Sequence, residues 1–310
     1  MKRIAIVAGM GSIGQRHAQL LGELDVSVCT VSRRPGIGTF DNIGDAVQSY
    51  PEAILVLANE TSSHMSDLRL ARSSGHIGLV VVEKPLASHP QELPDAGDAG
   101  SVHVAYNLRF VPVVMALREA LRQADAVPLA VRMHAGQHLG TWRPGRGSDE
   151  SYSSYAEQGG GVLRDLSHEL DLSCWLWGRT IGVCALGGRR SNVTVNSDDC
   201  WTILMKTAAG TDIALSLNYL DQPATRYIHV NTAHSTYQAD LVRHTLCIDG
   251  EVTHFPSERN TSYKAMWSSI LARPGQTGAP QVCSFEEGAE TVKLIADCEI
   301  SARNKLWMSR

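Results

Sequence analysis

Residues 4–14, IAIVAGMGSIG, decide the fold of the first part of the chain. An apolar run typical of a buried strand leads directly into the spacing G-x-G-x-x-G, and an amphipathic segment follows. Gly9 permits the tight turn, Gly11 lets the backbone approach a pyrophosphate, and Gly14 lets helix and strand pack closely. The stretch predicts dinucleotide binding on N–H groups at a helix N-terminus, against the alternative of a purely structural turn. The predicted cofactor contacts are Gly9, Gly11, Ser12, Ile13 and Gly14.

Short apolar runs alternate with amphipathic segments through the first third of the chain. The strand-like runs are 4–8, 26–31, 53–58, 78–82 and 102–106, and the helix-like segments are 12–22, 42–49, 63–73 and 90–97. Strands that alternate with helices predict βαβ units and a parallel sheet. The sequence therefore predicts a Rossmann domain over residues 1–110, and the helix-like segment 112–123 leads into the second half.

The pattern of apolar and polar residues changes after residue 127. Strand-like segments follow at 127–135, 181–187, 199–207, 211–220, 226–233 and 244–249, with a helix over 161–177. Several of these segments alternate large apolar with small or polar residues, which is typical of a sheet with one covered face. Ser284 and Glu287 form a capping-box pattern that predicts the start of a last helix. The sequence predicts a second, α+β domain over 111–310, with a mostly antiparallel sheet.

Length and composition limit the classes of function. A chain of 310 residues predicts two domains. With 43% apolar residues, 19% charged residues and a net charge of −4, it resembles a soluble protein without a nucleic-acid or membrane partner. The seven cysteines include no Cys-x-x-Cys pair, which favours reduced thiols and a cytoplasmic location. No His/Cys/Asp spacing indicates a metal site.

The end of the second predicted strand bears on cofactor choice. An NAD site usually places Asp or Glu there, to accept a hydrogen bond from the ribose 2′-hydroxyl. This chain instead has Ser32, Arg33 and Arg34, a hydroxyl and two cations suited to a 2′-phosphate. The sequence predicts NADP(H), with NAD as the less favoured cofactor; the alternative is that both arginines lie on a solvated loop.

Two further predicted strands end in polar residues. Strand 53–58 is followed by Asn59, and strand 78–82 by Glu83, Lys84 and Pro85. Because an open α/β sheet binds its ligand at the carboxyl ends of its strands, Asn59, Glu83 and Lys84 are candidate cofactor contacts.

In this order, the motifs resemble the glucose–fructose oxidoreductase/inositol dehydrogenase (Gfo/Idh/MocA) family. The motifs are the glycine turn, Glu83-Lys84-Pro85, Tyr106-Asn107-Leu108-Arg109-Phe110, and Gly159-Gly160-Gly161 leading to Asp165, His168 and Asp171. The resemblance implies a large open sheet in the second domain. It also implies hydride transfer between nicotinamide and a carbinol or carbonyl carbon.

The same resemblance implies three catalytic roles. Lys84 would contact the reacting oxygen, His168 would donate or accept the proton, and Asp165 would orient His168 or the substrate. An imidazole can move a proton near neutral pH, and an ammonium can stabilise developing negative charge. The family more often separates this Asp and His by four positions rather than three, so either Asp165 or Asp171 is the partner of His168.

Other polar and aromatic residues are candidate substrate contacts. An aromatic face suits a sugar ring, and a guanidinium suits a carboxylate or phosphate. The candidates are Asn107, Arg109, Trp142, Arg143, Tyr155 and Asp171. The alternative for Asn107 and Arg109 is a strand-end and surface role, and for the loop residues it is ordinary anchoring.

Three functions remain open from the sequence. The first is an NADP(H)-dependent oxidoreductase acting on CH–OH groups of a sugar, polyol or sugar derivative, with a weak resemblance to a surface-sugar branch of the family. The second is an enzyme that retains and recycles its cofactor, giving net hydrolysis or rearrangement. The third is a non-catalytic NADP-binding sensor. The polar face at Ala214, Ser216 and Asn218 predicts a homodimer or homotetramer.

Overall fold

A computed structural model of the chain describes residues 2–94, 101–142, 147, 151–272 and 282–310. Over these residues the helices are α1 Ser12–Glu23, α2 Ile43–Ser49, α3 His64–Ser73, α4 Pro112–Gln123, α5 Val162–Asp165, α6 His168–Trp177, α7 Thr261–Leu271 and α8 Phe285–Asn304. The strands are β1 Ile4–Ala8, β2 Ser27–Val31, β3 Ile54–Leu57, β4 Val80–Val82, β5 Val102–Val104, β6 Ala130–Gly136, β7 Thr180–Gly188, β8 Cys200–Thr207, β9 Asp212–Asn218, β10 Thr225–Asn231, β11 Thr236–Asp240, β12 Thr245–Ile248, β13 Glu251–His254, β14 Cys283–Ser284 and β15 Met308–Ser309.

The first compact unit comprises residues 1–106 and 263–292. Its sheet has the order β14-β5-β4-β3-β1-β2; β1 to β5 are parallel and β14 joins β5 antiparallel. The central strands are apolar at every position, since helices cover both faces of a parallel sheet. The predicted parallel sheet is confirmed, and its carboxyl edge carries the glycine turn, Asn59 and Glu83-Lys84-Pro85.

The second unit comprises residues 107–262 and 293–310. Its nine strands have the order β13-β12-β11-β10-β6-β9-β8-β7-β15, antiparallel except for the β6–β9 pair. One face packs on α4, α6 and the end of α8 through residues such as Leu117, Leu170 and Ile295. Alternation along β8 buries Trp201, Ile203 and Met205 in that core. The mostly antiparallel open sheet is confirmed.

The sequence-based division at residue 110 did not anticipate the return of residues 263–292 to the first unit. This segment supplies β14 to the edge of the parallel sheet and Trp267, which is fully buried. The predicted capping box is present: the Ser284 N–H donates to Glu287 Oε2 over 2.9 Å, and the Glu287 N–H donates to Ser284 Oγ over 3.3 Å. The predicted helix at 90–97 is a single 3₁₀ turn at Pro90–Glu92, and residues 95–97 lie outside the described ranges.

The helix predicted over 161–177 is two helices, α5 and α6, separated by Leu166 and Ser167. The Ser167 N–H bonds to the Arg164 carbonyl, and the Glu169 N–H bonds to the Leu166 carbonyl, each over 3.2 Å. Bonds that span three residues tighten the backbone into a corner. Asp165 therefore ends one helix and His168 begins the next, so the prediction of one continuous helix over 161–177 is wrong.

Candidate functional site

The glycine turn joins β1 to α1 at the carboxyl edge of the parallel sheet. Gly9 has φ +98°, a region that L side chains avoid, and a Cβ there would overlap the backbone of Ala58 and Asn59. A Cβ at Gly14 would overlap the Gly9 carbonyl oxygen. At Gly11, by contrast, a Cβ would meet nothing within 4 Å. The turn thus leaves open space beside Gly11, before the N–H groups of Ser12 and Ile13, where the backbone can approach a pyrophosphate.

The residues after β2 surround the same turn. Ser32 is buried, and its Oγ accepts a hydrogen bond from the Arg34 N–H over 3.1 Å. The Arg34 guanidinium reaches back to the Met10 carbonyl over 2.8 Å. The Arg33 side chain is 72% exposed, and its guanidinium lies 3.2 Å from the Asp67 carboxylate. The Arg34 cation is therefore tethered to the glycine turn, and the Arg33 cation lies beside Asp67 on α3.

Asn59 and His64 follow β3 at the same edge. The Asn59 side-chain amide donates to the Asp67 carboxylate. Burial raises the pKa of Asp67 by more than Arg33 and Asn59 lower it. His64 Nδ1 lies 3.0 Å from the Pro85 carbonyl oxygen, and burial lowers the pKa of this imidazole. His64 thereby links the backbone after β3 to the backbone after β4.

The turn after β4 holds Lys84 through its neighbour Glu83. Glu83 is buried; its Oε1 lies 2.8 Å from His17 Nε2, and its Oε2 accepts a hydrogen bond from the Lys84 N–H over 3.1 Å. Burial raises the pKa of Glu83, but His17 and Lys84 together outweigh burial and leave that pKa below its usual value. The Lys84–Pro85 peptide bond is cis. Lys84 therefore sits next to an ionised, anchored carboxylate.

Three glycines precede α5 because the backbone there is crowded. Gly161 has φ +114°, and a Cβ would strike the Asp198 carboxylate. Asp198 accepts hydrogen bonds from the Leu163 N–H and from the Trp201 indole, over 2.9 and 2.7 Å. Burial raises the pKa of Asp198. The glycine run thus brings the chain close to Asp198, which anchors the start of α5.

Asp165, at the end of α5, is clamped by two phenols. Its Oδ1 accepts from the Tyr152 hydroxyl over 2.8 Å, and its Oδ2 accepts from the Tyr219 hydroxyl over 2.6 Å. Burial and the neighbouring Asp165 charge raise the pKa of Tyr219 well above its usual value, so its hydroxyl remains a donor. Trp142 packs edge-on against the Tyr219 ring at a centroid distance of 5.2 Å. Asp165 is therefore a fixed, buried carboxylate.

His168 begins α6 and is 9% exposed. The next residue, Glu169, is held by the Arg226 guanidinium through two hydrogen bonds of 2.6 and 2.8 Å. Asp171 is held by Arg109 through two hydrogen bonds of 2.9 and 2.6 Å. Two arginine–carboxylate pairs thus fix the first turn of the helix that carries the imidazole.

A comparison with known proteins matches residues 128–246 to the GFO/IDH/MocA C-terminal domain. This part of the chain is similar to that domain. The matched segment includes Asp165, His168 and Asp171, and the match supports the resemblance seen in the sequence. No curated protein matches the sequence.

Solved structures share the fold of the whole chain. UDP-N-acetylglucosamine 3-dehydrogenase GnnA from Acidithiobacillus ferrooxidans is 18% identical, covers 98% of this chain and 99% of its own, and gives a TM-score of 0.78. WlbA dehydrogenase from Bordetella pertussis, in complex with NADH and UDP-GlcNAcA, is 18% identical over 100% and 98%, with a TM-score of 0.78. Levoglucosan dehydrogenase, in complex with NADH and levoglucosan, is 15% identical over 100% and 99%, with a TM-score of 0.81. At these identities the likeness establishes the fold.

The predicted substrate contacts that the structure describes have different environments in the second unit. The Arg109 guanidinium and the Asp171 carboxylate form an ion pair, and both side chains are 1% exposed. The Asn107 amide donates to the Ser262 hydroxyl over 2.8 Å, and the aromatic Trp142 and Tyr155 are half-buried. Arg143 lies outside the described residues. Among the described residues, no group of three His, Cys, Asp or Glu side chains is placed to hold a metal ion, and no helix is long and apolar enough to cross a membrane.

Sequence reasoning missed several residues that support this arrangement. His17 holds Glu83, Trp267 donates to His17, and Tyr219 holds Asp165. His17 carried one usable signal, because it is a polar residue on the apolar face of α1 beside buried Leu20 and Leu21. Trp267 and Tyr219 carried none, since each contacts its partner from more than fifty positions away along the chain.

Proposed function

We propose that this protein is a cytoplasmic NADP(H)-dependent oxidoreductase that transfers hydride between nicotinamide and a carbinol or carbonyl carbon of a sugar, polyol or sugar derivative. One observation carries the proposal: Lys84 and the open glycine turn lie at the same carboxyl edge of one parallel sheet. That edge is where α/β sheets bind ligands. The seven cysteines all lie in the described residues and form no disulfide, which supports a reducing location.

The residues at this edge fit a dinucleotide. The space at Gly11 and the N–H groups of Ser12 and Ile13 suit the pyrophosphate, and Asn59, Glu83 and Lys84 follow at the neighbouring strand ends. Nicotinamide supplies or accepts a hydride when bound. Gly9 and Gly14 shape the turn and are proposed as cofactor-binding on that ground.

The choice of NADP(H) rests on the end of β2. Val31 is followed by Ser32, Arg33 and Arg34 rather than by an Asp or Glu. Cations and hydroxyl groups recognise a 2′-phosphate. Two of the three named neighbours are complexes with NADH, so the choice of NADP(H) rests on the residues of this chain. Replacing both arginines with alanine should weaken NADPH binding about tenfold or more and change NADH binding little. Arg122→Ala, an exposed control, should change neither; tighter binding of NADH than of NADPH by the natural protein would refute the choice.

The proposed chemistry assigns one task to each of three residues. The Lys84 ammonium stabilises negative charge on the reacting oxygen. The His168 imidazole donates or accepts the proton that moves at that oxygen. Asp165, fixed by two phenols, orients the substrate or His168. Since Arg109 and Asp171 are paired with each other, we assign them to holding α6, and we retain Asn107, Trp142, Arg143 and Tyr155 as candidate substrate contacts.

The test is turnover together with cofactor binding. A panel of keto-sugars, nucleotide sugars and polyols is screened by NADPH absorbance in both directions, because two neighbours are named for or bound to nucleotide sugars. Lys84→Met should retain cofactor affinity within about threefold and lose at least about 100-fold in turnover. Lys206→Met, which removes an exposed lysine paired with Asp212, is the matched control. Unchanged turnover in Lys84→Met would remove Lys84 from the mechanism.

The same panel separates the two other functions. Substrate conversion without net consumption of NADP(H), by protein that purifies with bound cofactor, would favour the recycling enzyme. Cofactor binding without any conversion would favour the sensor.

We also propose that the nine-stranded sheet pairs with a second copy through its outer face. Leu186 and Leu204 on that face are 62% and 50% exposed, beside the smaller Ala214 and Ser216. Light scattering on the purified protein should give a dimer or tetramer, and a monomer would refute this.

A further inference from the structure

Three buried groups from separate segments of the first unit form a continuous hydrogen-bonded chain that ends at Lys84. The Trp267 indole N–H on α7 donates to His17 Nδ1 over 2.9 Å. His17 Nε2 on α1 lies 2.8 Å from Glu83 Oε1, and Glu83 Oε2 accepts from the Lys84 N–H over 3.1 Å. His17 and Trp267 are 0% exposed.

The direction of each bond in this chain is fixed by its end groups. An indole nitrogen can only donate, so His17 Nδ1 must present its lone pair to Trp267. An ionised carboxylate can only accept, so His17 Nε2 must carry the proton that meets Glu83. His17 is therefore the neutral Nε2–H tautomer, and Glu83 receives one N–H on each of its two oxygens.

We propose that Trp267, His17 and Glu83 are positioning residues that hold the Lys84 turn in place for catalysis. The inference rests on the proposed function, in which Lys84 contacts the reacting oxygen. Burial of a carboxylate is unfavourable unless its oxygens receive hydrogen bonds, and here the bonds come from a ring that a second ring orients. These hydrogen bonds tie the turn after β4 to α1 and α7, so they set the position of Lys84 relative to those two helices.

The packing around His17 supports positioning over simple filling of the core. Trp267 and Tyr263 each meet the imidazole edge-on, at centroid distances of 5.5 and 5.6 Å. The Arg16 guanidinium lies over the Tyr263 ring, 5.2 Å from its centroid. An apolar residue at position 17 would fill this space equally well but would leave Glu83 Oε1 without its donor.

The first experiment measures the tautomer and the Lys84 environment without relying on activity. Nitrogen-15 NMR of the imidazoles should show His17 with a protonated Nε2 and an unprotonated Nδ1. Reductive carbon-13 methylation of lysines, with the Lys84 signal assigned by its loss in Lys84→Met, gives a probe at the amine. Trp267→Phe keeps an aromatic ring and removes only the donor; it should move both the His17 and the Lys84 signals.

The second experiment measures turnover in variants that keep or break the donor pattern. His17→Gln can accept from Trp267 and donate to Glu83, so it should stay within about threefold of natural turnover; His17→Leu should lose about 10- to 100-fold. NADPH affinity should change less than about threefold in both. His76→Leu is the matched control, because His76 is a buried histidine of the same unit that bonds the Ala53 carbonyl before β3, at the opposite edge of the sheet.

The outcomes distinguish failure of the hydrogen-bond network from failure of the role proposed for Lys84. If His17→Leu and Trp267→Phe leave both the Lys84 signal and turnover unchanged, or if His17→Leu loses no more turnover than His17→Gln, positioning is overturned. A His17 protonated on Nδ1 overturns the bond directions. If the NMR changes occur as expected but Lys84→Met retains full turnover, the proposed role of Lys84 has failed rather than the network.

Discussion

The buried pair Arg109–Asp171 gives the sharpest test of what holds the second unit together. Two hydrogen bonds of 2.9 and 2.6 Å join the side chains, each 1% exposed, and the guanidinium also lies 5.5 Å from the Trp175 ring centroid. Asp171→Ala removes the carboxylate that accepts both hydrogen bonds, and the buried guanidinium loses its paired negative charge. Such a change costs about 3–5 kcal/mol of the free energy of unfolding. The melting temperature should therefore fall by roughly 6–20 °C.

A double variant distinguishes the effect of losing one charged partner from the effect of losing both. Arg109→Met combined with Asp171→Leu replaces both charges with apolar groups of similar volume, which is often close to neutral. Thermal and denaturant unfolding of both single variants and the double variant complete the cycle. Glu119→Gln breaks the exposed Arg122 pair and, because water screens that pair, should leave the melting temperature unchanged.

Enzyme assays on the same variants distinguish a structural role of Arg109 and Asp171 from direct binding of substrate. If Arg109 or Asp171 bound substrate directly, its loss would raise KM without the loss of stability. A single variant that unfolds like the natural protein but binds substrate poorly would therefore refute the structural assignment. A double variant as unstable as Asp171→Ala would contradict this expectation and show that the attraction within the pair exceeds its desolvation cost.

Three further predictions follow from single contacts. Gly11→Ala should weaken NADPH binding about tenfold or more without lowering the melting temperature, whereas Gly14→Ala should lower both, because only the second Cβ overlaps backbone; fluorescence titration and thermal unfolding check this. Tyr219→Phe removes a 2.6 Å bond to Asp165 and should cost about 1.5–3 kcal/mol by urea unfolding, with no loss refuting the clamp. The Glu83 pKa is below its usual 4.5, so Glu83 stabilises the fold above that pH and less as the pH falls through the lowered pKa. Glu83→Gln should therefore be less stable at pH 7, and the difference should shrink in acid; a constant difference by unfolding across pH would contradict this.

Local patterns predicted the elements of the parallel sheet well. The run 4–8 matches β1, and the helix-like segments 12–22 and 63–73 match α1 and α3 within a residue. The capping residues Ser284 and Glu287 also fixed the start of α8 from sequence. These successes share a cause, since period, turn chemistry and caps act over a few residues and are written locally.

The features missed by the sequence depend on contacts that are distant along the chain. Residues 263–292 return to the first unit because β14 pairs with β5 and Trp267 meets His17, 250 positions away. The corner at Leu166 and Ser167 interrupts an apolar pattern that continues smoothly across it. Arg109 and Asp171 looked like substrate contacts because nothing in either segment shows that their charges meet.

The first turn of α6 shows why so many buried charges gather near one histidine. Glu169 and Asp171 follow His168 within the first turn of α6, and each is held by an arginine from a different element, Arg226 on β10 and Arg109 before α4. Carboxylates near a helix N-terminus gain from the helix dipole, but buried ion pairs contribute little net stability over apolar residues of the same size. Their geometric effect is larger: two bidentate pairs restrain translation and rotation of this turn. If His168 transfers a proton, an error of about 1 Å in its position can cost about 100-fold in rate. The arrangement is therefore better explained by placement of the imidazole than by stabilisation of the fold.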